Sequence, residues 1–228
     1  MYSLGVHTSK GSPTGGTVTT DAIDTSGANL LVIAITDYSS ASSTLSDSKT
    51  NTWSALTAQT GNYVRTQMYY VVNPTVGSGH TFTATSVGTS YPSVFVVAFT
   101  GAASSPLDTQ NGNGSTSAVS LATGSITPAQ NDELIMSAWG GEAPNRSANS
   151  GMTAVEQQPY NNGLYFAGAI AYKIQTTAAA INVTWTTDYA GYCADTIACF
   201  KAAGATDNQE WLNRGRDQKR TRVLNIAY

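Results

Sequence analysis

Shifted by 101 residues, the chain matches itself. Thr83, Thr85, Tyr91, Phe99 and Ala102 fall on Thr184, Thr186, Tyr192, Phe200 and Ala203, with Phe82 over Val183. The surrounding segments keep the same order. Asn29–Ala34 answers to Asp132–Ser137, Trp53–Leu56 to Met152–Val155, Met68–Val72 to Ile170–Ile174, and Thr17–Ala22 to Ala118–Gly124. Self-similarity at a fixed period means the same structural unit is built twice. Each half holds about six strand-like segments in about 85 residues, close to the size of an immunoglobulin-like sandwich.

The unit is made of strands. His80–Thr85 and Ile181–Thr186 alternate polar and apolar residues with period two, as half-buried strands do. Leu30–Ile35 and Val94–Phe99 are unbroken apolar runs rich in β-branched and aromatic residues, the pattern of strands covered on both faces. Turn-rich clusters separate them at Ser12–Gly16, Gly77–Gly79, Gly101–Pro106, Asn111–Ser115 and Ala143–Gly151. Composition agrees: 56 of the 228 residues are Ser or Thr and only 11% are charged. No amphipathic helix is expected before residue 206. No apolar run approaches the 20 or so residues of a membrane-spanning helix, and Met1–Lys10 lacks the pattern of a signal peptide. The expected fold is all-β: two tandem homologous antiparallel β-sandwich repeats, immunoglobulin-like or jelly-roll-like, with an extended C-terminal arm. The expected boundaries are 1–107, 108–204 and 205–228. One larger jelly-roll-like sandwich with pseudo-twofold symmetry is the alternative.

Cys193 and Cys199 share one strand face. Six strand steps span about 20 Å, too far for a disulfide, so both are expected as buried free thiols. His7 and His80 have no cysteine or carboxylate at ligand spacing, no Gly-x-Ser-x-Gly turn is present, and no cofactor or catalytic metal is expected. Asp132–Glu133 reads as a solvated turn. Asp37 and Asp47 bracket a loop with too few carboxylates for calcium. Three glycosylation sequons, at Asn113, Asn145 and Asn182, read as chance matches. Trp53, Trp185, Tyr70, Tyr172, Tyr91 and Tyr192 are expected in packing, whereas Tyr38, Tyr63, Trp139, Tyr160 and Tyr189 lie nearer loops and could serve a carbohydrate-binding platform.

Charge changes sign near the end. Residues 1–200 carry −6 and residues 201–228 carry +3. The last segment interleaves Trp211, Leu212, Leu224, Ile226 and Tyr228 with Arg214, Arg216, Lys219, Arg220 and Arg222. Linkers rarely hold so many large apolar groups, and arginine grips carboxylates bidentately. These ten residues are expected to bind a partner, with Val223–Ala227 adding a strand to its sheet edge.

At Asp47–Trp53, Tyr69–Thr83 and Tyr91–Gly101 the chain resembles a broad group of uncharacterised β-rich proteins of bacterial and bacteriophage genomes, over about residues 15–204. The resemblance transfers no functional residue. With the appended basic tail it looks like a phage virion accessory protein, a head-decoration or tail component. The expectation is a non-enzymatic virion structural protein that binds capsid or tail proteins and self-associates as a homo-oligomer. The alternative is a carbohydrate-binding or adhesive surface module contacting a host glycan. Neither a membrane nor nucleic acid is an expected partner.

Overall fold

The computed structural model describes residues 1–38, 42–86, 90–158 and 166–204. The ten C-terminal residues singled out above, and Tyr160, lie outside this set. The described chain is all-β, built as two antiparallel β-sandwich repeats. No helix among the described residues is long and apolar enough to cross a membrane.

In the first repeat, β1 (Ser3–Gly11), β9 (Ser93–Thr100), β3 (Leu30–Tyr38), β7 (Val64–Val72) and β5 (Ser54–Ala55) form one sheet in that order, with β6 (Gln59–Gly61) also on β7. A small sheet of β2 (Thr17–Thr19), β8 (Phe82–Thr85) and β4 (Thr44–Asp47) covers its outer face. The second repeat orders β10 (Ala102–Ala122), β15 (Thr184–Ala202), β11 (Glu133–Gly141), β14 (Ala167–Gln175) and β13 (Thr153–Gln158), with β12 (Arg146–Ala148) on β15. Under the repeat this is the same order. Leu30 pairs with Phe99 and Val72 as Leu134 pairs with Phe200 and Ile174. The isolated bridge between Ile23 and His80 recurs between Ile126 and Ile181. One difference separates the copies. Where the first repeat breaks its path into β1 and β2, and into β8 and β9, the second runs β10 and β15 continuously through register shifts, so two strands turn the corner between layers.

The unbroken apolar runs now have their reason. Leu30, Val32 and Ala34 of β3 face the other repeat, in a core shared with Phe95, Phe99, Leu134, Met136 and Phe200. Leu31, Ile33 and Ile35 face the repeat's own small sheet. Strand β11 divides likewise between the shared core and a second-repeat core around Trp139 and Trp185. The molecule is thus a four-layer stack whose two large sheets pack on each other. Their contact is reciprocal. Tyr70 meets Phe200 at 5.4 Å, and its counterpart Tyr172 meets Phe99 at 5.5 Å. Edge strand β1 touches β13 through His7–Glu156 at 2.7 Å. On the other flank Gln110 of β10 accepts a bond from the Thr57 amide at 2.8 Å. This self-complementary arrangement is that of a twofold dimer interface, here within one chain. Each fully buried Phe of the shared core is worth about 1.5–3 kcal/mol.

Glycine permits the closest approach. A Cβ on Gly61 of β6 would run into the carbonyl oxygens of Cys193 and Ser115 in the other repeat. The chain passes between repeats at Gly101, whose φ of 96° suits glycine. Residues 102–107 therefore already belong to β10, and the expected boundary at 107/108 falls inside that strand.

Candidate functional site

Within each large sheet the strands are antiparallel, and ring contacts between the sheets match them end to end, so the stack has two distinct ends. At one, here the base, lie Leu30, Val72, Thr100, Ala102, Leu134 and Ala202. Here Ala203 donates its amide to Gly101 O at 2.8 Å, and the chain leaves toward residues 205–228. At the other end lie Tyr38, Val64, Ser93, Gly141 and Cys193. Nine-residue strands set the ends about 27 Å apart.

The far end gathers tyrosines from both repeats. Tyr38 closes β3 and stands 3.9 Å, ring to ring, from Phe166, 6.0 Å from Tyr63 and 6.2 Å from Tyr91. Tyr63 meets Tyr192 edge-on at 5.2 Å. Tyr91 and Tyr192 are repeat counterparts, so the twofold relation itself brings them to one face. Tyr63 occupies the tip between β6 and β7. Asn62 before it takes φ 59°, a left-handed conformation that Asn tolerates better than most residues. This leaves Tyr63 46% exposed. Val64, Phe166 and Ala194 form a small core beneath, bridging the repeats.

Polar groups frame the rings. Glu142 accepts the Tyr192 amide at 3.1 Å, and its carbonyl accepts the Tyr189 hydroxyl. Asp188 accepts Asn145 Nδ2 at 2.7 Å. Burial, then the Glu142 carboxylate, hold the Tyr38 phenol above its ordinary value. Buried Asp37 accepts from the Ser43 amide and hydroxyl, with Arg65 Nη1 at 3.7 Å. Desolvation nevertheless raises its carboxyl above the usual range. The crevice among Tyr38, Tyr91 and Phe166 is about 10 Å³, room for no more than a water. The face is therefore a contact surface rather than a pocket. Aromatic rings with a polar tip and fixed carboxylates suit an amphipathic ligand that presents both hydroxyls and apolar faces.

The structure redistributes the residues expected near loops. Tyr38, Tyr63 and Tyr189 do lie at this end. Trp139, by contrast, is 1% exposed inside β11, because its strand is covered on both faces. Glu133 is no solvated turn: it opens β11 and is fully buried. Asp37 and Asp47 do not share a loop site, since each is engaged by its own long-range partner at opposite ends. Cys193 and Cys199 are both free and buried.

The histidines find carboxylates that spacing did not reveal. His7 reaches Glu156 across the repeat interface. His80 sits between Thr25 Oγ1 and Asp47 Oδ1, each at 2.9 Å. Asp47 also accepts Trp53 Nε1 at 2.8 Å and the Lys49 and Asn51 amides. Desolvation opposes ionisation of Asp47, and these donors outweigh it and lower its carboxyl. The hydroxyl–imidazole–carboxylate order resembles a nucleophile relay, yet the Thr25 residue is 1% exposed and His80 fully buried. A substrate has no path to the hydroxyl, and the network acts as a clasp pinning the strand ends. Its counterpart in the second repeat has Ile181 in place of His80. An open groove of about 420 Å³ lies beside it, lined by Ser150, Lys173, Gln175 and Ile181 among others.

No protein-family model, curated protein or solved structure matches this chain.

Proposed function

We propose that the protein is a non-enzymatic structural component of a bacteriophage particle, a capsid-decoration or tail protein, which binds the particle, associates with copies of itself and displays its tyrosine end outward. The polarity of the body carries this reading. The chain enters its basic segment 205–228, with its interleaved large apolar residues, at the base, and the aromatic face lies at the opposite end. A stack welded through a shared core is a stiff spacer between an anchor and a display surface. Deleting residues 207–228 tests it. The truncated protein is expected to keep the β-sheet circular dichroism of the full chain and to lose particle attachment and self-association. A truncated chain that attaches and assembles as well as the full one ends the reading.

A second reading, a carbohydrate-binding or adhesive module, is favoured by one observation: tyrosines from both repeats converge around Glu142. Truncating an aromatic anchor typically costs 2 kcal/mol or more, some thirtyfold in affinity. Tyr63→Ala is expected to abolish glycan-array signals without lowering the melting temperature, as the side chain is half exposed. An array on which the wild-type chain binds no glycan removes this reading and leaves the first intact.

A further inference from the structure

At the base of the second repeat three acidic groups converge from three strands. Asp108 of β10, Glu133 of β11 and Cys199 of β15 place their ligand atoms within 4.8 Å of one another. Cys199 Sγ lies 3.7 Å from Asp108 Oδ2. Glu133 and Cys199 are fully buried. One oxygen of each carboxylate is oriented by the backbone: the Ala129 amide donates to Asp108 Oδ2 at 2.8 Å, and the Gln130 amide to Glu133 Oε1 at 3.1 Å. Among the described residues Glu133 Oε2 is buried with no conventional hydrogen-bond partner, and the side chain facing the Glu133 carboxylate is the Cys199 thiol. An orphaned buried carboxylate oxygen carries a heavy desolvation cost.

The fold does not demand these residues, because the first repeat builds the same place without them. Cys199 pairs with Ile135 as Ala98 pairs with Leu31, so the thiol's counterpart is Ala98. The structure shifts the sequence alignment of this strand by one residue, so that Glu133, not Asp132, is the counterpart of Asn29: Glu133 precedes Leu134 as Asn29 precedes Leu30. Asp108 follows Leu107, the partner of Phe200, as Gly5 follows Leu4, the partner of Phe99. Glycine, asparagine and alanine suffice in one copy. Asn29 there is satisfied at both ends by Ala102.

We propose that Asp108, Glu133 and Cys199 bind one thiophilic divalent cation, of the zinc class, at the base of the second repeat. One sulfur and two carboxylate oxygens with an open fourth position match the donor set and number such an ion takes. Tetrahedral bonds of 2.0–2.3 Å put ligand atoms about 3.5 Å apart, so the present spacing needs a closure of little over 1 Å at most. Magnesium and calcium fit poorly, since they want six or more oxygens and no sulfur. The charges balance. Thiolate and two carboxylates supply −3, the ion +2, and Lys201, with Nζ 3.9 Å from Asp108 Oδ1, supplies the last +1. Binding releases the Cys199 thiol proton, and any proton on Glu133, to solvent. Without an ion, burial and the neighbouring carboxylates hold the Cys199 thiol protonated, and burial raises Glu133. Asp108, only partly buried, gives the ion its way in and a water its fourth position.

Cobalt(II) titration of the full chain, stripped of metal, tests the site. One equivalent is expected to raise a thiolate-to-cobalt absorption band in the near ultraviolet, which zinc then abolishes. Cys199→Ala, which copies Ala98, is expected to lose the band, and Cys193→Ala to keep it. Glu133→Gln is expected to weaken binding at least about tenfold, since altering even an outer-shell partner of a metal ligand costs that much. Zinc is also expected to raise the melting temperature of the wild type and not of Cys199→Ala. The assignment is overturned if no thiolate band forms, if the band survives in Cys199→Ala, or if Cys193→Ala removes it. A wild-type melting temperature indifferent to zinc also overturns it.

Discussion

Asp195 is a fully buried carboxyl on β15 and its removal is expected to stabilise the protein. Its Oδ1 accepts the Asn113 amide at 3.1 Å, and among the described residues its Oδ2 has no hydrogen-bond partner. Among the described residues no cation lies against it. Burial pushes the carboxyl up to about 8, against the pull of the Asn113 amide. The folded protein therefore keeps a neutral acid at pH 7, whereas the unfolded chain ionises near 3.9. Between those values the folded state holds one more proton than the unfolded state. Stability from this group is thus fully present below pH ~4 and is lost as pH rises, levelling off above ~8. The shift of ~4 units at ~1.4 kcal/mol each sets a ceiling of ~5–6 kcal/mol, of which ~4 is already lost at pH 7.

Asp195→Asn keeps the oxygen that accepts from Asn113 and removes the ionisation. Urea unfolding followed by tryptophan fluorescence, at pH 5 and pH 8, reads the difference between the two proteins. Glu133 and Asp37, also raised by burial, tilt both curves alike and cancel. The variant is expected to gain ~2–4 kcal/mol over wild type at pH 8, about 4–16 °C in melting temperature for a chain of this size, and progressively less toward pH 4. Parallel pH profiles, or a variant less stable than wild type at pH 8, would refute the argument.

Gly61→Ala is expected to cost at least ~1–3 kcal/mol, because the nearest atoms its Cβ meets are the backbone carbonyls of Cys193 and Ser115 and backbone cannot yield as a side chain does; chemical denaturation measures it. Phe200→Ala opens the shared core beneath Tyr70 and is expected to cost ~3–5 kcal/mol while the protein still unfolds in one calorimetric transition, since both repeats line that core. Asp47→Asn is expected to destabilise at neutral pH and to lose its effect as pH falls, because the lowered carboxyl contributes stability above its unfolded value and forfeits it on protonation. Thermal melts at pH 3 and pH 7 decide between this and a pH-independent loss.

Much of the fold was legible because the repeat and the apolar runs are properties of pattern. Leu30–Ile35 and Val94–Phe99 announce strands covered on both faces, and the structure supplies one face from the same repeat and the other from its twin. The docking of the two sandwiches was harder to see. It rests on a reciprocal fit of Tyr70 with Phe200 and Tyr172 with Phe99, and on Gly61 lying against a backbone more than a hundred residues away. No local spacing encodes such contacts. The sites were less legible still. His80 meets Asp47 across 33 residues and Thr25 across 55, while Cys199 meets Asp108 across 91. Glu133 stands beside Asp132 at a strand start, where a solvated turn is the simplest reading of the sequence.

The repeat offers a way past that limit. Two copies of one fold in one chain separate what the architecture requires from what it merely allows. Phe99 and Phe200 are the same because the shared core needs both. Tyr91 and Tyr192 are the same, yet both stand at the partly exposed end, where packing alone sets no such demand. Identity there points to a face used as a pair. Divergence is informative in the opposite sense. His80 against Ile181, and the trio Asp108, Glu133 and Cys199 against Gly5, Asn29 and Ala98, place ionisable groups where the twin folds without them. Burying a charge or an orphaned polar atom costs stability. A chain that carries that cost in one repeat and avoids it in the other marks where local structure answers to something besides folding. For His80 the answer is a closed set of hydrogen bonds to Asp47 and Thr25. For Glu133 no backbone or amide donor among the described residues reaches Oε2, only the Cys199 thiol faces the carboxylate, and the proposed cation between the two completes the set.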